Sequence, residues 1–501
     1  MTRMRFSACL SFSISLLLMA CTPAPNGASS GTSGTSAQSR TSSETSPEIT
    51  QQWRSRLLEA LETQSPSMVT EHAVLKQITT DHVAQLAQNP QDTDFQVKQV
   101  PQVYQPVAPD ALSILLQREH LISSDNIVTI SLSDGDPEQL LQRFESELGK
   151  ALGTMPFSHY GITLQKHGPS WFMSCVLVTE VIQLAQPVAM QYDAPLTVPL
   201  KGDITLQGFA NPRVLVTQPD GAVVEPLEKV NGLAFDTTLN LAQTGIYSIE
   251  VEVDGPFGRQ PACNFMVAVG VPFPEPEPVS DTTTPLGDLS TARQELLDLI
   301  NADRAAQNVP QLALSDKLNT VSQAHSQDMV DNQFVGHNSP TLGTPQEQAF
   351  AFQLSDNVAQ NVAVNTQLAQ AHHKLMSSPG HRQTLLSPEY THVGLGIVQA
   401  DNGQLYITEN FTEQKLIVDP LPATIGRNTD FEITGQAVEK GIIGVFVDQK
   451  QQSVTPVEAG ERFTLPLRLS QQGKQRIFIG FSGSDQAKQL KVYNLWDITV
   501  Q

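Results

Sequence analysis

The stretch Val271–Asp288, VPFPEPEPVSDTTTPLGD, constrains this chain more than any other. Its prolines fix φ and remove amide donors, its carboxylates stay in water, and it has little to bury, so it is extended and belongs to no core. Residues 22–48 are another such stretch, rich in Ser, Thr and Gly, and read as a flexible tether. A chain of 501 residues exceeds what one core can organise. The cuts therefore predict several globular pieces: residues 49–190, 191–270, 290–414 and 415–501, with 271–289 as the linker.

Arg3 and Arg5 precede an apolar run from Phe12 to Ala20, too short to span a bilayer but suited to a signal peptide of residues 1–20. The run ends in Leu18-Met19-Ala20-Cys21, which resembles a bacterial lipobox. That resemblance implies a diacylated Cys21 held in one membrane leaflet, with 21–48 as the tether. Thr22 is not the Asp associated with inner-membrane retention, so the expectation is an outer-membrane lipoprotein of the bacterial envelope. The formal net charge is -21 and Lys and Arg form no runs, which argues against nucleic acid as a partner. Cys9 leaves with the signal. Cys175 and Cys263 remain, in a compartment where a disulfide would persist; spacing leaves open whether they pair.

Residues 191–270 and 415–501 alternate apolar and polar positions between Gly and Asp-Gly turns, the pattern of small all-β, Ig-like sandwiches. Neither shows a cluster of His, Cys or acid, so both read as spacers or interaction modules. Residues 290–414 differ. Thr291 with Gln294 reads as a capping box; Ser315 caps a second helix with the stripe Leu318, Val321, His325, Met329. Thr344-Pro345-Gln346-Glu347 opens a third helix, and Leu368, Ala371, His372 and Leu375 mark a fourth. A Ser-Pro-Gly turn carrying His381 follows, then two strands. Helices covering a sheet make an α+β unit. The chain as a whole reads as α+β and multidomain.

An internal repeat runs through the chain. LKQITTDHVAQLAQN (75–89) aligns with LNTVSQAHSQDMVDN (318–332), and LGTMPFSHYGITL (152–164) with TLLSPEYTHVGLGIV (384–398). His82 falls on His325, His159 on His392 and Gly161 on Gly394. These histidines lie on apolar or strand positions common to both copies and read as structural. His337 and His381 have no counterpart in the first copy, so any site belongs to the second.

The second copy resembles the CAP superfamily (cysteine-rich secretory proteins, antigen 5 and pathogenesis-related proteins, SCP-like in bacteria). LINADRAAQNVPQLALSDKL, FVGHNSP, QNVAV, SPGHR and LYITENF carry the likeness. It implies an α-β-α sandwich in 290–414, with 49–190 a degenerate copy, and a cleft lined by two histidines and two acids. Carried over, the histidines are His337 and His381. One acid falls on Gln360, and the other on His373 or nowhere. Ligands implied by the family are a lipid or sterol-like molecule, a divalent metal or an envelope protein. His337, His373 and His381 are candidate ligands for zinc or another divalent ion. Gln360 cannot accept a proton, so a non-catalytic binding role is favoured. A metal-dependent, peptidase-like hydrolase on the same histidines is the alternative.

Overall fold

The computed structural model describes residues 69–88, 127–152, 157–226, 229–274, 285–352, 354, 357–401, 403–448, 450–483 and 490–501, with Ser55, Arg56, Leu58, Glu59, Leu61 and Gln117. The expected signal peptide, Cys21 and the tether lie outside them. The chain divides into two compact units, one containing residues 108–181 and the other 182–273 and 283–501.

In the first unit, β1 (Thr70–Glu71) leads into α1 (Ala73–Gln88); β2 (Ile127–Asp134), α2 (Pro137–Leu152), β3 (His159–His167) and β4 (Ser170–Val178) follow. The sheet order is β1-β3-β4-β2, with β1 parallel to β3 and the other pairs antiparallel. α2 puts Leu140, Leu141, Phe144 and Leu148 into a core shared with Ile162, Met173, Cys175 and Leu177.

The second unit begins with β5 (Ile182–Leu184), residues the sequence pattern assigned to the preceding domain. β5 pairs instead with β7 (Leu196–Ile204), so the β-module starts before residue 191. β6 (Gln191–Tyr192), β8 (Ala210–Thr217), β9 (Val223–Val224), β10 (Lys229–Asn231), β11 (Ala234–Leu241), β12 (Gly245–Gly255) and β13 (Gly258–Val269) complete it. They form two sheets, β10-β11-β7-β5 and β6-β13-β12-β8-β9. Cys175 on β4 and Cys263 on β13 are both buried and are not joined in a disulfide. Each is enclosed by the core of its own unit, and burial pushes the Cys175 thiol up, so it packs as a small apolar group.

Next comes α3 (Leu289–Ala306). Its N-cap is Asp288, whose carboxylate accepts from the Thr291 amide at 3.0 Å, not the expected Thr291. Gln294 is drawn instead to Asp298 one turn on, at 2.8 Å. β14 (Ala313–Leu314) precedes α4 (Asp316–Asp331), which Ser315 caps as expected. α5 (Pro345–Ala351) opens with the full Thr344/Glu347 capping box and Pro345 in its first turn. β15 (Ala359–Asn365), α6 (Leu368–Ser377), α7 (Pro379–Leu385), β16 (His392–Gln399) and β17 (Leu405–Thr412) finish this module. The Pro-Gly segment expected as a turn is helical. Proline's fixed φ suits a first helical position, so His381 rides on a short helix.

The sheet order is β14-β16-β17-β15, with β14 parallel to β16 and the rest antiparallel. Strand alternation sorts the faces. Val393, Leu395, Ile397, Ile407 and Phe411 pack with Ala292, Leu296 and Ile300 of α3 and with Leu368, Ala371 and Leu375 of α6. The opposite face carries Gly394 and Gly396, where a Cβ would run into the backbone at Leu318 and Ser322 of α4. Because the helix lies so close, its polar side chains reach the strand. Ser322 Oγ donates to the Gly394 carbonyl at 2.9 Å and Ser326 Oγ to that of Gly396 at 3.1 Å. Asn319 and Gln323 accept from the amides of Leu395 and Ile397, satisfying strand groups that the two-residue β14 leaves uncovered.

The last module has two sheets, β18-β20-β23 and β19-β25-β24-β21-β22. Its strands are β18 (Leu416–Val418), β19 (Thr424–Ile425), β20 (Asp430–Ala437), β21 (Gly441–Val447), β22 (Lys450–Val457), β23 (Arg462–Arg468), β24 (Gly473–Ser482) and β25 (Lys491–Val500). Ile433, Leu465, Val445, Ile477 and Ile479 form its core.

Candidate functional site

His337 lies in the loop between α4 and α5, and that loop is shaped by buried polar groups. Asp328, near the end of α4, accepts from the hydroxyls of Ser339 and Thr341. Gln348 on α5 donates to the carbonyls of His337 at 2.7 Å and Gly343 at 3.0 Å. His325 is fully buried on α4 and its Nε2 bonds the Gly336 carbonyl at 2.9 Å. Burial lowers its pKa to about 4, so the ring is neutral and Nε2–H is the donor. His325 therefore supports the loop, as its place on an apolar stripe predicted.

The His337 ring meets Gln360 on β15, with Nδ1 and Oε1 3.1 Å apart. An amide oxygen only accepts, so Nδ1 carries the proton and the lone pair of the neutral ring is on Nε2. Burial depresses the His337 pKa and favours that neutral form. Gln360 Nε2 in turn donates to Gln348 Oε1 at 3.0 Å and Asn410 Oδ1 at 3.2 Å, and Asn410 Nδ2 donates to Ser322 Oγ at 2.9 Å. Every link is uncharged and each amide is oriented by its neighbours. Gln348 is a member that sequence reasoning missed. The signal was available: the Thr344 capping box fixes the start of α5 and turns Gln348 inward.

Gln360→Glu tests this network. The substitution deletes both amide donors and sets a carboxylate against two carbonyl oxygens, and Gln348 cannot turn over without releasing the His337 and Gly343 carbonyls. At pH 8 a loss of about 2 kcal/mol in unfolding free energy is expected. The loss should shrink at lower pH, where a protonated His337 would pair with the new carboxylate. Thermal unfolding at pH 8 and pH 5.5 checks both statements.

His381 is reached from the same strand. Asn361, next to Gln360, donates to the His381 carbonyl at 3.2 Å and to Glu409 Oε2 at 3.2 Å. The His381 ring bonds Ser378 Oγ through Nδ1 at 2.8 Å. Beyond Ser378 lies a residue of the preceding β-module: Ser378 Oγ donates to Glu250 Oε2 at 2.6 Å, and the Gly380 amide to Glu250 Oε1 at 2.9 Å. Along β12 the core positions Ile249, Val251 and Val253 alternate with Glu250 and Glu252, and all five are buried. One face of this strand fills its own module; the other packs against α7.

The tip of the β12–β13 hairpin reaches the second histidine loop. The Phe257 carbonyl accepts from the amides of His337 and Asn338, both at 2.8 Å. The Phe257 ring lies 5.4 Å from that of Phe334. A Cβ at Gly336 would strike Phe257, which explains the glycine. Arg382 Nε donates to the Gly221 carbonyl at 3.0 Å and Arg213 Nη2 to Gln383 Oε1 at 3.3 Å, adding contacts beside the hairpin. A module expected to be a spacer or an interaction module thus covers both histidine segments. Its acids are separated from the histidines by most of a domain in sequence, so no local pattern pointed to them.

Of the other candidates, His373 is on the exposed side of α6. Among the described residues, no group of three or more His, Cys, Asp or Glu side chains is arranged to hold a metal ion. His372 is buried with Nε2 2.7 Å from Asp303, and His392 bonds Thr391 Oγ1 at 2.9 Å.

Residues 297–411 match the family model described as CAP, cysteine-rich secretory protein family. The chain is similar to the uncharacterized protein YkwD of Bacillus subtilis, 32% identical over 129 residues that cover 25% of this chain and 49% of that protein. It is also 28% identical over 130 residues to the uncharacterized membrane protein YlbC of the same organism, covering 25% and 35%. It thus spans about half the length of one relative and about a third of the other. Among solved structures, an extracellular protein of Bacillus anthracis containing an SCP domain is 16% identical, covers 64% of this chain and 100% of that one, with a TM-score of 0.24. An outer surface protein of Borrelia burgdorferi is 18% identical, covering 26% and 97%, with a TM-score of 0.25.

Proposed function

Residues 297–411 form a CAP domain, and from that premise we propose that the chain is an envelope lipoprotein that binds a ligand or partner without turning it over. Cys21 carries the lipid, residues 21–48 form the tether, and the membrane is the outer one. The observation that carries the non-catalytic reading is the uncharged network in which Gln360 accepts from His337 and donates to Gln348 and Asn410. It holds the imidazole neutral, and at the position where the resemblance implies an acid it places Gln360, an amide that accepts no proton at working pH. The Bacillus relative with "membrane protein" in its name supports an envelope address. Among the described residues, no helix is long and apolar enough to cross a membrane.

The first unit is a second, degenerate copy of the CAP domain, and each copy is followed by an Ig-like sandwich. Support comes from matching pairings. Thr70 N bonds Ser158 O as Ala313 N bonds Thr391 O, and His72 N bonds Tyr160 O as Ser315 N bonds Val393 O. Ser158 holds His159 as Thr391 holds His392, each at 2.9 Å. A Cβ at Gly161 would meet Leu75 as one at Gly394 would meet Leu318.

The test is a zinc titration of the full chain with casein as the probe for hydrolysis, comparing wild type, His337→Ala and His381→Ala. The expected result is no casein turnover above the variants and a wild-type zinc affinity no tighter than that of His381→Ala. Zinc-dependent turnover abolished by both substitutions would overturn the binding reading in favour of a hydrolase. Cys21→Ala should move the protein from the membrane to the soluble fraction; persistence in the membrane would overturn the lipid anchor.

A further inference from the structure

We infer that Glu250, contributed by the β-module, is the positioning residue of His381: acting through Ser378, it fixes the imidazole tautomer that the CAP domain presents. The supply of protons decides this. A serine hydroxyl has one to give. Ser378 Oγ lies 2.6 Å from Glu250 Oε2 and 2.8 Å from His381 Nδ1. Glu250 is completely buried, and donors reach both of its oxygens, the pattern of an accepting carboxylate. Its donors include Ser378 Oγ, Asn264 Nδ2 at 3.2 Å on the same oxygen, and the Gly380 amide at 2.9 Å on the other. The Ser378 proton is therefore committed to Glu250. Ser378 Oγ can then only accept from the ring, so Nδ1 carries hydrogen and Nε2 carries the lone pair when His381 is neutral. Turning the hydroxyl toward Nδ1 would leave a buried carboxylate short of a charge-assisted bond, the costlier arrangement.

His337 and His381 thus adopt one tautomer by different means. His337 is set within the domain by the amide of Gln360, while His381 is set from outside it by a carboxylate. The relay also explains Gly380. A Cβ there would collide with Glu252, so glycine lets β12 approach until Glu250 reaches Ser378 and the Gly380 amide. Covering the histidine segments and orienting His381 are two results of one docking contact. The placement depends on the β-module being in position, which makes the presented nitrogen a property of the two modules together.

The inference rests on the CAP-domain reading only for what the presented nitrogen is used for; the tautomer itself is read in ligand-free protein. The experiment is long-range 1H–15N correlation of the imidazole nitrogens in the full chain, with His381 assigned by His381→Gln, at a pH where the neutral form dominates. The wild type is expected to show Nδ1–H at His381. Ser378→Ala leaves the Gly380–Glu250 contact in place but cuts the relay. It should shift the Nδ1–H to Nε2–H ratio by roughly ten-fold toward Nε2–H, about the value of one hydrogen bond. Ser378→Thr, which keeps the hydroxyl, should restore the wild-type pattern. Glu250→Gln keeps the shape without the charge and should give a mixture. An unaltered Nδ1–H signature in Ser378→Ala, or an Nε2–H signature in the wild type, would overturn the assignment. Should Ser378→Ala not fold, the Glu250→Gln spectrum decides alone: retention of the full wild-type pattern there overturns it. A failed zinc or casein result bears on the function and leaves these spectra unchanged.

Discussion

Replacing Arg304 by methionine is expected to lower the unfolding free energy of the second unit by about 4 kcal/mol, the largest loss foreseen for one substitution in this chain. Arg304 sits in the last turn of α3 with no exposed surface. Its Nε donates to the Pro310 carbonyl at 2.7 Å, Nη1 to those of Leu385 at 2.6 Å and Ser387 at 3.0 Å, and Nη2 to that of Tyr390 at 3.2 Å. One planar fork thereby fixes the loop after α3 and the chain that leaves α7. Burial pulls its pKa down to about 10, which leaves it charged at neutral pH. Methionine keeps the length and apolar stem of the side chain, so the change isolates the loss of the guanidinium donors. Each orphaned carbonyl costs about 1–3 kcal/mol, offset in part because no charge is then buried. Urea unfolding gives the magnitude. Hydrogen exchange should locate it, with faster exchange at residues 385–391. Arg304→Lys keeps the charge but cannot reach all of these acceptors, and should lie between the two. A loss below about 1 kcal/mol would mean that the carbonyls find other donors and that the fork is dispensable.

Much of this architecture was legible because it obeys local rules. Ser315 and the Thr344-Pro345-Gln346-Glu347 box announced α4 and α5, and the alternation in β16 and β17 announced a strand pair covered by helices. The repeat placed His82 with His325 and His159 with His392, and the bonds that His325 and His392 make are those of supports. The misses also have local causes. Asp288 captured the start of α3 because an acidic N-cap outcompetes a threonine three residues later. Ser-Pro-Gly read as a turn, yet proline at a first helical position is equally at home. The candidate site was legible only in part. His337 and His381 stood out as histidines without counterparts in the aligned N-terminal stretches, and Gln360 followed from QNVAV. Gln348, Ser378 and Glu250 did not, since their roles arise from side chains meeting across separate elements. Glu250 shows the limit best. In IEVEV it looks like a solvent-facing strand residue, and only the docking of β12 on α7 makes it an interior carboxylate.

The buried Glu409 sets the second large effect, and its sign follows from proton linkage. Glu409 lies on β17 on the α3/α6 face of the sheet, fully buried among apolar groups. Desolvation raises its pKa from 4.5 to about 7, opposed by the nearby His372 ring and by the bond from Asn361. Its Oε1 has no hydrogen-bond partner among the described residues. In the unfolded chain the carboxyl releases its proton near pH 4.5, while in the folded protein it keeps it to about pH 7. Between those values the folded state binds more protons, so stability falls as pH rises and levels off above about 7. The full contribution is present below pH 4.5 and amounts to about 3 kcal/mol. Glu409→Gln removes the ionisable group while keeping an acceptor for Asn361. At pH 4 the variant and the wild type should be nearly equal in stability; at pH 8 the variant should be more stable by up to about 3 kcal/mol. Urea unfolding of both proteins at half-unit steps from pH 4 to pH 8 measures the difference curve. A flat difference would show that Glu409 is ionised within the fold, compensated by His372. A rising one would show a carboxylate carried at a cost at neutral pH on the strand beside Gln360 and Asn361.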